Sequence, residues 1–231
     1  TGPLRPAVEA IREFARFKGY PMTLRGITEA HREMLDKEYP GAFEYSEDVD
    51  CADYIYSAEK LSTYSGKALH GKKNHCNRFE AEHDWDFVPL TRELIPGCLD
   101  MLNMWTEENY ARLDGSIHYE HDAIMRAFAV YEKLGLEGGV LRSGGKIIGF
   151  SMGEMAGRDT FDVHFEKADI DINGAYPMVC RELTRMVMQN HPELLYMNRE
   201  DDMGLESLRT SKLSYKPEFM VRKFTARMRD E

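Results

Sequence analysis

Residues 159–169 (DTFDVHFEKAD) carry three titratable side chains at alternate positions: Asp162, His164 and Glu166. Three apolar side chains alternate with them: Phe161, Val163 and Phe165. A period of two predicts a strand with one apolar face and one ionisable face. Carboxylate and imidazole groups are the residue types that move protons in general acid-base catalysis. We expect any chemistry of this chain on this strand, although a single histidine such as His164 is more often structural.

The ionisable face of this strand needs either water or partners, because burying unpaired carboxylates is costly. It therefore lines a wet cleft or points to bulk solvent. A turn at Asn173-Gly174 follows, and a helix is predicted to begin at Ala175. A glycine turn that leads into a helix is a common binding place for small molecules and anions.

A second set of polar residues follows the predicted strand 194–198. Asn198 and Arg199 stand at its end, and Arg209 and Lys212 are i, i+3 neighbours on the next predicted helix, shortly before Tyr215. Polar residues at the carboxyl end of a strand are where open α/β sheets place ligands. Arg209 and Lys212 suit either an anionic ligand or the nearby glutamates.

A third set is a basic segment at residues 67–78, which includes Lys72 and Lys73. It suits a phosphate or nucleotide, and equally the solvated face of a surface helix. RNA binding through this segment is a weaker alternative, and steep salt dependence would be its signature.

Composition limits the function classes. The 231 residues carry a net charge of -10, which disfavours non-specific binding along nucleic acid or anionic lipid. No apolar run reaches the roughly 18 residues that a membrane helix needs. The four scattered cysteines predict free thiols, a cytoplasmic location and no metal site. Histidine groups around residues 70–76 and 118–121 are interpreted as non-ligating.

Helical and extended patterns alternate along the chain. Helices are predicted at 4–18, 29–39, 94–111, 118–133, 175–190 and 205–213. Strands or extended segments are predicted at 21–27, 42–56, 87–89, 138–142, 146–155, 159–169, 194–198 and 219–228. The order in residues 4–56 repeats in 175–228, which predicts mixed sheets flanked by helices in two tandem α/β units, the first lacking its front end.

Three stretches together resemble a known bacterial family: DYIYSAEKLSTYSGKALHGKKNHCNRFEAEH, FEKADIDINGAYPMVCREL and YMNREDDMGLESLRTSKLSYKP. The family (DUF2156-type) is related to the C-terminal domain of phosphatidylglycerol lysyltransferase. The resemblance implies an α/β fold with a mixed sheet, made of tandem acetyltransferase-like (GNAT-type) domains as in Fem-type aminoacyl transferases. The pattern of predicted elements starts afresh at Asp86, which predicts a boundary between residues 1–85, an incomplete N-terminal half, and residues 86–231.

The resemblance also implies a function. The chain would move an acyl group from coenzyme A or aminoacyl-tRNA to an amine or hydroxyl, with the tRNA acceptor end as a partner and no metal. Glu166 or His164 would take the acceptor's proton, and Tyr215 would return one to the leaving group. The donor would be held by a larger set: Lys72, Lys73, Lys167, Gly174, Ala175, Asn198, Arg199, Arg209 and Lys212. The alternative is a non-catalytic ligand- or partner-binding module, because only Gly174-Ala175 keeps the family's phosphate turn.

Overall fold

The computed structural model describes residues 2–109 and 116–229. The helices are α1 (Leu4–Lys18), α2 (Glu29–Glu38), α3 (Ala58–Thr63), α4 (His70–Glu82), α5 (Ile95–Asn109), α6 (Ser116–Ala129), α7 (Tyr131–Leu134), α8 (Ala175–Asn190) and α9 (Glu206–Ser214). The strands are β1 (Thr23–Ile27), β2 (Phe43–Glu47), β3 (Asp53–Ser57), β4 (Trp85–Pro89), β5 (Glu137–Ser143), β6 (Lys146–Met155), β7 (Thr160–Ala168), β8 (Tyr196–Asn198), β9 (Phe219–Val221) and β10 (Phe224–Met228).

The smaller of two compact units holds the described residues of Thr1–Tyr54, Asp201–Thr210 and Phe219–Glu231. Strands β1, β10 and β2 form its antiparallel sheet in that order. Helix α1 contributes Val8 and Ala15 to the core and ends at Gly19, whose left-handed φ of 71° suits a residue without a Cβ. The side chain of Thr28 caps α2 by accepting the backbone N–H of His31.

The larger unit spans Ile55–Glu200 and Ser211–Glu218. The second sheet has seven strands in the order β4-β5-β6-β7-β8-β3-β9. Strands β4 to β7 are antiparallel neighbours, whereas β7 and β8 run parallel. Apolar residues of α5 and α6 pack against Phe150 and Met152 on one face of β6. Helix α8 buries Val179, Leu183 and Val187.

Periodicity predicted most of these elements. The predicted helices at 4–18 and 175–190 match α1 and α8, and the hairpin across residues 143–145 is formed by β5 and β6. The extended segment 219–228 is two strands, β9 and β10, which belong to different sheets, so the prediction of one strand is wrong. Residues 110 and 111, at the end of one predicted helix, lie outside the described residues.

Within residues 2–109 and 116–229, no helix combines the length and the apolarity that a membrane span requires. The four cysteines are unpaired thiols, as predicted, and three of them are buried. The predicted boundary between residues 85 and 86 concerns two acetyltransferase-like halves. The compact units do not test that division, which stays a prediction.

Candidate functional site

Two parallel strands of the larger unit, β7 and β8, separate in the middle of the seven-stranded sheet. Pairing between β7 and β8 covers only Thr160 to Asp162, because β8 ends at Asn198. Strand β7 continues to Ala168 while pairing with β6 along its other edge. Strand β8 therefore does not pair with the second half of β7, along the edge of β7 that faces away from β6. We call this gap between the two strands the opening, and the residues directly after β8 lie beside it.

A β-bulge at His164 changes which side chains share a face of β7. Asp162 pairs with Glu154 and Val163 with Gly153, but Met152 pairs with Phe165, so β7 has one extra residue. Beyond the bulge the alternation is reversed, which puts Glu166 on the face opposite Asp162. The prediction that Asp162, His164 and Glu166 share one face is therefore wrong at Glu166.

Glu166 forms a buried ion pair at the opening. Its Oε1 accepts a hydrogen bond from Nη2 of Arg199 at 2.6 Å, and the two side chains are only 10% and 12% exposed. Arg199 is the first residue after β8, so its position follows from the end of that strand. Charge-assisted hydrogen bonds between desolvated partners are strong and fix geometry. The structure thus brings together two predicted site residues that are 33 positions apart.

Tyr215 is the centre of an aromatic and cationic cluster around this pair. Lys72 Nζ lies 3.8 Å from the centroid of the Tyr215 ring, and the Arg199 guanidinium carbon lies 4.5 Å from it. Tyr56 and Tyr64 pack against Tyr215 with centroid distances of 6.5 and 6.1 Å. Burial raises the pKa of Tyr215 well above its ordinary value, so its hydroxyl is neutral at physiological pH.

His164 belongs to a second cluster, more open to solvent. Its Nδ1 lies 2.9 Å from Glu200 Oε1, and its Nε2 lies 3.2 Å from Glu154 Oε1. The hydrogen bond to Glu200 is the main cause that raises the pKa of His164 to about 9. The cluster opens into a pocket of about 260 Å³ lined by Ala127, Leu134, Leu136, Glu154, His164, Phe165 and Glu200.

The raised pKa of His164 predicts a pH-dependent contribution to stability. The imidazolium contact with Glu200 and Glu154 is present in full below about pH 6.5, the ordinary pKa, and is lost as the pH rises through about 9. Substituting His164→Gln should therefore reduce the free energy of unfolding most near pH 6, by at most about 3 kcal/mol, and little near pH 10. Urea unfolding at both pH values measures the difference. A loss of the same size at both would contradict the protonated state.

The same region contains a set of side chains able to hold a metal. Asp162, His164 and Glu200 offer ligand atoms within 4.8 Å of one another. Nitrogen and oxygen donors of this kind suit zinc or manganese. Both ring nitrogens of His164 already face carboxylates, so a metal would have to displace the proton that these contacts stabilise. The arrangement is explained without a metal.

Helix α4 covers the turn that precedes α8. A Cβ on Gly174, whose φ is 93°, would lie 2.7 Å from the carbonyl oxygen of His75 and 3.1 Å from the Cβ of Phe79. His75 also contacts the side chain of Asn173 at 2.7 Å. The Asp169 carboxylate accepts the backbone N–H of Asp171 at 2.9 Å. A pyrophosphate group at this turn would meet α4 and two carboxylates.

Other predicted donor-binding residues have partners of their own. Lys167 lies on the other face of β7, with its Nζ 2.8 Å from Glu120 and 3.8 Å from the Trp105 ring centroid. In the smaller unit, Arg209 donates to Asp202 at 2.8 Å and to Asp50 at 2.7 Å.

Three further residues of the predicted donor-binding set lie in three different surroundings. Lys212 donates from Nζ to the carbonyl oxygen of Arg199. The Asn198 side chain accepts the backbone N–H of Glu200 at 2.9 Å and so stabilises the turn after β8. Lys73 is exposed on α4. The opening thus brings together Glu166, Tyr215, Lys72, Arg199 and Lys212, and Lys73 lies on the surface.

Sequence reasoning did not assign Glu154, Tyr56 or Tyr64 to the site. The signal for Glu154 is the short connection at residues 157–159. Hairpin pairing of Ala156 with Thr160 across it places Glu154 opposite Asp162. Tyr56 and Tyr64 fall inside the first stretch of the family resemblance, but nothing in their spacing indicates contact with Tyr215.

Comparison with known proteins identifies relatives of this fold and sequence. The sequence model of the family described as "Phosphatidylglycerol lysyltransferase, C-terminal" matches residues 1–227. A conserved protein from Bacteroides thetaiotaomicron is 35% identical, with a TM-score of 0.92 over 99% of this chain and 77% of that one. The Mycoplasmoides gallisepticum protein MYCGA3080 is 28% identical over 179 residues, 76% of this chain. The chain spans 56% of the length of that relative.

More distant structures share the fold alone. The structure titled L-PGS from Bacillus licheniformis is 17% identical, with a TM-score of 0.63 over 97% of this chain and 73% of that one. FemX is 8% identical, with a TM-score of 0.64 over 98% of this chain and 76% of that one. The predicted mixed α/β fold of the tandem acetyltransferase-like type is confirmed.

Proposed function

Because the chain belongs to the phosphatidylglycerol lysyltransferase C-terminal family, we propose that it transfers an acyl or aminoacyl group from an activated carrier to an amine or hydroxyl. The observation that carries this proposal is the opening between β7 and β8, where the Glu166–Arg199 pair and Tyr215 meet beside the half of β7 that β8 does not pair with. Backbone amides at a strand edge are suited to hold a carbonyl oxygen whose negative charge grows during acyl transfer.

The chemistry assigns a role to each group. The acceptor's nitrogen or oxygen attacks the carbonyl carbon, the new bond forms, and the bond from that carbon to the carrier breaks. Glu166 takes the acceptor's proton, and the neutral Tyr215 hydroxyl supplies a proton to the departing carrier oxygen or sulfur. His164 is a weaker candidate for the base, because its raised pKa of about 9 keeps it protonated at neutral pH.

The carrier that we propose is aminoacyl-tRNA rather than acyl-coenzyme A. Acetyltransferase-like folds place an anionic carrier at the start of the helix after the central strand, where backbone amides are available. In this chain α4 packs on Gly174, and Asp169 and Asp171 add negative charge nearby. Both features disfavour a pyrophosphate at that turn.

Substituting Tyr215→Phe should lower the turnover number of aminoacyl transfer more than about tenfold, because it removes the proton donor and keeps the buried ring. The melting temperature should change little, since Lys72 and Arg199 lie over the ring itself. The assay follows loss of radiolabelled aminoacyl ester from a mixed charged tRNA pool in the presence of a panel of amines and alcohols.

The matched control for this assay is Tyr119→Phe, which removes a hydroxyl from a side chain that is 81% exposed. It should leave turnover unchanged. If the wild-type chain transfers nothing from either tRNA or acetyl-coenzyme A, the proposal of catalysis is wrong. The remaining hypothesis is then a ligand-binding module that uses the same opening.

A further inference from the structure

Arg199 has a buried hydrogen-bond donor that no described residue accepts. Its Nη2 donates to Glu166, and the guanidinium lies over Tyr215. Its Nη1 is buried and finds no acceptor within residues 2–109 and 116–229. An arginine cannot lose its proton in a protein, and a buried unpaired donor is unfavourable. A buried polar group without a partner needs a physical explanation.

Lys72 brings a second positive charge to the ring of Tyr215, over which Arg199 also lies. Its Nζ lies over the Tyr215 ring, and no carboxylate of the described residues forms an ion pair with it. Burial, and then the charge of Arg199, lowers the pKa of the Lys72 amine. Two cations therefore lie at the Tyr215 ring, and among the described residues Arg199 alone of the two has a carboxylate partner, Glu166. Nearby like charges with too few counter-charges favour binding of an anion.

We propose that Lys72 and Arg199 form a subsite for one phosphate group of the donor. Glu166 already occupies one arm of the Arg199 fork, so the guanidinium presents Nη1 rather than the two parallel donors that a planar carboxylate prefers. Lys72 acts as a separate point charge. A tetrahedral phosphate, with oxygens in several directions, bridges two such separate donors. The ligand enters from the half-exposed Lys72 side, because Arg199 is buried.

The place of the subsite indicates which phosphate it binds, and this step rests on the proposed function. Arg199 touches Glu166, so the anion lies close to the carbonyl that Glu166 would serve. In aminoacyl-tRNA the phosphodiester of the terminal adenosine is separated from the ester by a single ribose. In acyl-coenzyme A the whole pantetheine arm separates the thioester from the pyrophosphate. A phosphate site beside the reacting group therefore fits the end of a tRNA.

The test is a calorimetric titration of the full chain with three probes: inorganic phosphate, the trinucleotide CCA and coenzyme A. Inorganic phosphate and CCA should bind the wild type, with affinity falling as salt rises. The variant Lys72→Met should weaken both at least about tenfold. The control is Lys146→Met, which removes the same charge from an exposed lysine at the start of β6 and should change affinity less than about twofold.

If phosphate and CCA do not bind the wild type, or if both substitutions weaken their binding equally, the subsite is overturned. If the wild type binds coenzyme A but not CCA, and Lys72→Met loses coenzyme A binding, the assignment to tRNA is overturned. The titration is independent of turnover. If the wild type transfers aminoacyl groups but Lys72→Met binds phosphate as tightly as the wild type, the subsite alone is refuted. If phosphate binding depends on Lys72 but the wild type shows no transfer, the proposed function is refuted and the subsite is kept.

Discussion

Substituting Gly153→Ala is expected to lower the free energy of unfolding by about 3–5 kcal/mol. A Cβ at this position would lie 1.9 Å from the backbone carbonyl oxygen of Asp162 and 2.8 Å from its carbonyl carbon. Backbone atoms cannot rotate away as a flexible side chain can, so β7 itself would have to move. Gly153 pairs with Val163, the residue directly before the bulge. The bulge accounts for the close approach of the β6 and β7 backbones at this position.

Urea unfolding measures this loss, and Gly157→Ala is its matched control. Gly157 lies in the exposed connection between the same two strands, and a Cβ there would meet nothing within 4 Å. Its substitution should change the free energy of unfolding by less than about 0.5 kcal/mol. Equal small effects at both positions would show that β6 and β7 do not approach as closely as the bulge requires. The bulge would then not account for the reversed faces of β7.

The fold was predictable where local signals agree with one another. Helix α1 has an apolar stripe and a glycine stop, and Thr28 offers a side-chain cap for α2, so both helices could be placed from the sequence. Residues 219–228 were mispredicted, because one continuous extended pattern supplies strands to two sheets. Nothing local in Arg222-Lys223, between these strands, indicates that change of sheet.

The candidate site was predictable in its residue types but not in its contacts. Glu166 was selected from the alternation along its strand, Arg199 and Tyr215 from the polar stretch after the strand at 194–198, and Lys72 from the basic segment. The bulge at His164 could not be predicted, since DVHFE fits an uninterrupted period of two equally well. The pairing of Glu166 with Arg199 depends on where the β7–β8 ladder ends. That end is set by tertiary structure rather than by any local pattern.

Substituting Arg199→Met should lower the free energy of unfolding by about 3–5 kcal/mol, because it leaves the Glu166 carboxylate buried without its partner. The double variant Glu166→Gln, Arg199→Met removes both charges. Its free energy of unfolding should fall by less than the sum of the decreases in the two single variants. The difference, which is the coupling free energy, should be about 0.5–3 kcal/mol. Urea unfolding of the four proteins at neutral pH gives the complete cycle.

A surface ion pair in the same sheet provides the control for this cycle. Arg142 and Asp86 face each other on β5 and β4, and their side chains are 32% and 49% exposed. Water and salt screen such a pair, so Arg142→Met should cost about 1 kcal/mol or less. If Arg199→Met costs no more than this, the Glu166–Arg199 pair is hydrated and the argument for a desolvated site at the opening is wrong. A large coupling at Arg199 and a small effect at Arg142 would show that the desolvated charges are those of the Glu166–Arg199 pair, at the point where the β7–β8 ladder ends.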